Sequence, residues 1–315
     1  MTQTFKLARF GCVTSLTVLV VSLTSCVSHA VRAAAPCGFP VRSPKAFSSA
    51  QFLNTYSSPS ASREVAVVKE VLEGNIPDRL RQFETIDILG KWRGQSVVFE
   101  TDVAPDYLMI GDDQDSVRMP LTNSAAQYIA SALGFSLPTA KLVDTIYQSA
   151  ATKLEPQPTD WYKSDAKMRL GSNYLVFNST IEKQRGGRGG LVAGHKKDVV
   201  LTQLLDQNPR RVAIYGWQLK SGKPIQPLAV PHDMSYEDYS HGIRFIGPNL
   251  RILSNTTVVA TMSMQEAYLD TEIGPQLNGG SRLFDARAAR SCTPELAKAL
   301  GLKLADCPPA PRVCP

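Results

Sequence analysis

The sequence predicts an α+β fold, with a helical middle segment packed on a mostly antiparallel, β-rich second half. Three observations carry that expectation. Between residues 122 and 149, apolar side chains recur at helical spacing behind cap residues. After residue 199, β-branched and apolar runs alternate with turn signals. Composition is 43% apolar against 20% charged, enough to build a core and unlike a disordered chain.

Taken in order, residues 64–84 form a helix with Val65, Val68, Val71 and Leu72 on one face and Gly74 as its stop. Segments 95–100, 107–110 and 116–119 are short strands between turn residues and suggest a small antiparallel sheet. Thr122 or Asn123 caps the next helix, whose apolar face is Ala125, Ile129, Ala132 and Leu133, and Gly134 ends it. Pro138 sits just inside a further helix faced by Leu142, Val143, Ile146 and Tyr147. Residues 151–165 read as a polar loop, and 174–184 suits helix or strand. Beyond the glycine-rich loop Gly186-Gly187-Arg188-Gly189-Gly190 come strands at 199–204, 211–218, 225–230, 241–246 and 255–262. Ser221-Gly222 makes a hairpin turn, and Pro227 marks an edge strand.

The expected organisation has four parts. Residues 1–30 are a signal peptide or lipoprotein leader, and 31–63 a linker rich in Ser, Pro and Ala. Residues 64–285 form a single α+β domain, and 286–315 a tail rich in Cys and Pro. In the leader, Lys6 and Arg9 precede an apolar stretch at 11–24, which is shorter than the roughly 20 residues of a membrane span. Leu23-Thr24-Ser25-Cys26 resembles a lipobox, whereas Ser28 and Ala30 suit ordinary cleavage. Both readings export the protein to the periplasm or the exterior, touching a membrane only through a lipid anchor at Cys26 if lipidated. Cys37, Cys292, Cys307 and Cys314 remain and allow three pairings. In an oxidising compartment, disulfides stapling the tail are the economical use for them. The net charge of +6 without a dense basic stripe argues against a nucleic-acid partner.

Polar chemistry concentrates in one region. Apart from His29, the histidines are His195, His232 and His241, and each borders a strand candidate. Imidazole serves as acid, base or ligand near neutral pH. The expected catalytic set is His195 and His232 as acid and base, with His241 beside them. Asp233 or Asp238 orients an imidazole, and Ser240 is a nucleophile. Lys196 and Arg244 hold an anionic group, and Tyr239 adds to substrate binding. Trp217, Tyr215 and Tyr236 offer a stacking platform for a sugar ring or peptide. No cofactor is expected; a zinc version would use the three histidines as ligands around an open position. The span 189–196 imitates a phosphate-binding loop, but His195 holds its Lys position and Lys196 its Ser/Thr position, so no nucleotide site is expected. The resulting expectation is a cell-envelope hydrolase or transferase acting on glycan or peptide. The alternative is a non-catalytic envelope binding or structural protein.

Two resemblances accompany these residues. Ser240-His241-Gly242-Ile243-Arg244 is similar to the signature of L,D-transpeptidases, but Ile243 stands where that family has its catalytic Cys, so the activity does not carry over. The strings at 106–122, 191–202, 211–218 and 238–246 resemble a family of exported bacterial proteins of unknown function. That resemblance implies export and one contiguous domain, and no activity.

Overall fold

A computed structural model describes residues 38–280. The leader and all six cysteines lie outside them, and so does the tail.

Two short helices open the described chain, because serine hydroxyls sit where their first N–H groups need acceptors. Ser48 starts α1 (Ser49–Thr55) and Ser60 starts α2 (Ala61–Leu72). This corrects the linker reading for the described part of 31–63, residues 38–63. Phe52 and Leu53 of α1 are core residues, and Arg63 is buried. The predicted helix also starts earlier than expected. It buries Val67, Val68 and Val71 rather than Val65, and it stops at Gly74, whose φ of 82° favours glycine.

After a 3-10 turn at Asp78–Arg81 come β1 (Glu84–Trp92), β2 (Gln95–Val103), β3 (Met109–Gly111) and β4 (Ser116–Arg118). The helical middle holds α3 (Asn123–Ala132) and α4 (Ala140–Ser149), capped by the hydroxyls of Thr122 and Thr139. The expected loop at 151–165 carries β5 (Thr152–Lys153) and a second 3-10 turn, Asp160–Lys163. Next are α5 (Asp165–Met168) and α6 (Gly171–Arg185), which settles 174–184 as helix. The remaining elements are β6 (Val192–Ala193), β7 (Lys197–Val199), α7 (Leu204–Gln207), β8 (Arg211–Gln218), β9 (Pro224–Asp233), β10 (His241–Gly242), β11 (Ile246–Ser254), β12 (Thr257–Ser263), α8 (Met264–Leu269) and α9 (Gly274–Leu277).

The fold is α+β. One four-stranded sheet runs β1-β2-β11-β12, antiparallel throughout. The other runs β10-β7-β8-β9, with β7, β8 and β9 antiparallel and β10 parallel to β7. β9 is an edge strand, as Pro227 requires. One large apolar core joins α2, α3 and α4 to both sheets through residues such as Val71, Ile129, Ile146, Val212 and Ile252. Among the described residues no helix is long and apolar enough to cross a membrane.

Candidate functional site

The second sheet brings polar groups together at the ends of β7, β8 and β9. β8 is irregular near its end. Its register with β9 shifts between Ile214 and Gly216, and Trp217 adopts φ 56°. A bulky side chain rarely holds that left-handed conformation, and such outliers cluster at functional positions. Lys197, paired with Gly216, places its Nζ 5.1 Å from the centre of the Trp217 ring.

His232 is the penultimate residue of β9 and is half-buried. Its ring stacks on Tyr236 at 4.2 Å and 20°. The β9–β10 connection then folds inward. Asp233 stays outside, where its Oδ1 accepts from the backbone N and the hydroxyl of Ser235. Asp238 is buried and does the corresponding task inside, accepting from Ser240 N at 2.7 Å and Ser240 Oγ at 2.6 Å. The Tyr236 hydroxyl donates to its other oxygen at 3.2 Å. His241, in register with Lys197, lies fully buried 6.0 Å from His232 and 5.8 Å from Tyr236, ring centre to ring centre. Among the described residues, neither of its ring nitrogens has a hydrogen-bond partner.

Burial sets the protonation of this cluster. It drives the His241 imidazole down to about 4 and lowers His232 as well, so both rings are neutral at pH 7. Burial would raise the Asp238 carboxyl. The His241 ring, which can carry charge only in acid, the Lys197 ammonium and the bonds from Ser240 reverse that and hold it below its ordinary value. Burial also lowers Lys197. The set therefore gathers two neutral imidazoles, one carboxylate and the Lys197 ammonium beside the half-buried Tyr236, with the buried Trp217 ring under the Lys197 Nζ.

The first histidine goes elsewhere. Gly194, at φ 100°, turns the chain so that His195 Nε2 meets Asp106 Oδ1 at 3.2 Å. Arg118 grips the same carboxylate through Nε at 3.1 Å and Nη2 at 2.6 Å, and reaches Glu182 at 2.7 Å. The Tyr107 ring meets His195 edge-on at 4.9 Å. Burial lowers His195 to about 4. The structure thus joins His232 to His241 and ties His195 to Asp106, in place of the expected pairing of His195 with His232. Among the described residues, no group of three or more His, Cys, Asp or Glu is placed to hold a metal ion.

Other expected positions need correction. Ser240 Oγ is engaged by Asp238 and buried, so it does not face an imidazole as a nucleophile. Asp233 is exposed and orients no imidazole. Lys196, Tyr239 and Arg244 lie inside the protein rather than on a cleft rim. Lys196 Nζ donates to the Tyr239 carbonyl at 2.7 Å, and burial lowers it to about 7. The Tyr239 hydroxyl accepts from Thr159 N, and its ring packs edge-on against Trp161 and Phe177. Arg244 donates to the carbonyls of Ala104 and Val192, with its guanidinium carbon 4.4 Å from the Tyr107 ring centre. The reason is local: β10 is only two residues long, so strand alternation does not extend from 240 to 244. Sequence reasoning missed Lys197, Asp106, Tyr107 and Arg118. The only signal for the last three was their place in the string 106–122.

No protein-family model, curated protein or solved structure matches the chain.

Proposed function

We propose that the protein is an exported cell-envelope hydrolase or transferase acting on glycan or peptide, with His232 as its general base. The observation that carries this reading is the pairing of His232 and His241 around Tyr236 over an ionised Asp238. Buried polar atoms are nearly always hydrogen-bonded, and bare ones concentrate where chemistry is done. Both ring nitrogens of His241 are bare. A neutral His232 at the open side can take a proton from water, or from an acceptor hydroxyl or amine, as the new bond forms to the substrate. The imidazolium then returns that proton to the leaving group, with Asp238 and His241 behind it. Since Ser240 is engaged, direct displacement fits better than a covalent seryl intermediate. The half-buried Tyr236 supplies an apolar face, and the half-buried Lys197 can meet a carboxylate of the substrate.

The engagement of Ser240 also favours the second reading, a non-catalytic binding protein that uses the same Tyr236 face. Incubation with purified peptidoglycan fragments, followed by chromatography and mass analysis, separates the two. Turnover that falls about 10²–10⁴-fold in His232→Ala, with the fold intact, supports the enzyme. Binding without turnover, weakened by Tyr236→Ala, would establish the binding protein instead.

A further inference from the structure

We propose that the cavity beside the glycine-rich loop is a binding site for a single oxyanion group, a carboxylate or a phosphate, held by Arg79 and Arg185. The cavity measures about 120 Å³ and is lined in part by these two arginines, Gln82, Asp106, Gly189 and Gly190. It is separate from the histidine cluster, and the inference does not depend on the proposed activity.

Both guanidinium groups are positioned by neighbours that leave donors over. Arg79 donates through Nη1 to the Asp113 carbonyl and carboxylate and through Nη2 to Ser116 Oγ at 2.7 Å. Its Nε is buried and has no hydrogen-bond partner. Arg185 is fixed through Nε to the Arg188 carbonyl at 2.7 Å and through Nη1 to Glu182 at 3.1 Å. Two cations thus share one small enclosure. Their proximity is felt electrostatically, since the Arg185 charge adds to burial in lowering Arg79. An anion between them relieves that repulsion and can take a forked contact.

The acids nearby offset this only in part: Glu182 and Asp106 favour the Arg79 charge, but Glu182 is shared by Arg185 and Arg118, and Asp113 pairs with Arg79 on the exposed side. Asp106 is occupied by Arg118, His195 and the Tyr107 backbone N–H. Glu84 is exposed, where water and salt weaken its charge. Cavity size fixes the ligand class. Sites for whole cofactors run to roughly 300–1,000 Å³. At about 120 Å³ this one suits an acid group alone, which agrees with the failed phosphate-loop pattern at 189–196.

The test uses the full chain and calorimetric titration with sodium phosphate, sodium acetate and sodium chloride at constant ionic strength. Saturable binding of phosphate or acetate is expected, absent with chloride. It should weaken about tenfold or more in Arg79→Gln and in Arg185→Gln, since each removes a charged hydrogen-bond donor. His232→Ala should bind as the unmutated protein does. Preference for acetate identifies a carboxylate site, and preference for phosphate a phosphate site. Because an arginine variant can misfold, protection of Arg79 and Arg185 from phenylglyoxal by the bound anion is measured in the unmutated protein. Heats equal to those of chloride, unchanged affinity in both folded arginine variants, or absence of protection would overturn the proposal.

Discussion

Arg118→Met should be among the most damaging single substitutions in the chain. The guanidinium is 1% exposed and the Asp106 carboxylate 5%. Two of its bonds go to that carboxylate, one reaches Glu182, and Nη1 also meets Asn178 at 2.9 Å. Methionine fills similar volume but leaves Asp106 without its counter-charge. Removing one partner of a buried ion pair costs about 3–5 kcal/mol. Urea unfolding followed by circular dichroism should show that loss as a lower midpoint at unchanged slope. With Arg118 present, Asp106 is held well below the ordinary carboxyl range, because Arg118 and His195 outweigh its burial. Without Arg118, burial prevails and the carboxyl rises, so the deficit should shrink as the solution is acidified and Asp106 becomes protonated. The double variant Asp106→Asn, Arg118→Met removes both charges and should recover a sizeable part of the loss, a coupling visible in the double-mutant cycle. A cost below about 1 kcal/mol for Arg118→Met, or strictly additive single effects, would refute the reasoning.

Stability should rise with pH between about 4 and 6.5. His195 and His241 are held at about 4, so the unfolded chain binds two more protons in that window. Asp198, raised to about 7 by burial, binds one more in the folded state. Over these three groups the difference is about one proton, or about 1.4 kcal/mol per pH unit, with the histidine contribution fully present above 6.5 and lost toward 4; His232, also lowered by burial, adds to it, and Glu64 and Asp144, both raised by burial, subtract from it. His241→Gln should lower that slope by about one proton, about 1.4 kcal/mol per pH unit, in urea titrations at stepped pH; an unchanged slope would show that His241 is not held neutral. Gly242→Ala should destabilise by about 1–3 kcal/mol, since a methyl there would lie 2.5 Å from a Tyr107 ring carbon and 3.0 Å from Lys196 Cβ. Thermal melts within error of the unmutated protein would contradict that packing. Expressed with its leader in a bacterium, the protein should be processed in the envelope or medium; full-length protein in the cytosol would remove the envelope from the proposed function.

Local signals made α2, α3, α4 and one hairpin legible. Thr122 caps α3 and Gly134 follows it, while Ser221-Gly222 turns β8 into β9, because each effect acts within a few residues. β1 escaped because its alternation, Thr85-Ile86-Asp87-Ile88, is only four residues long before the exposed Leu89 and then Gly90 break it. Ile86 and Ile88 read as strand once β2 lies beside them. The candidate site divides in the same way. His232, Tyr236, Asp238 and His241 share one short connection, and their neighbourhood followed from sequence. His195 lies 89 residues from Asp106, and nothing near it announces that partner. Lys196 and Arg244 looked like surface charges because burying a charge is costly unless it is met. In the fold both are met, by backbone carbonyls and by the rings of Phe177 and Tyr107. Tyr107 touches His195 with its ring edge, donates to Asp198 at 2.8 Å, lies under Arg244 and fills the space that Gly242 leaves open. One residue from the first half of the chain therefore links the two polar strings of the second. The strings at 191–202 and 238–246 are parts of one largely buried assembly, with the half-buried His232, Tyr236 and Lys197 on its outer side.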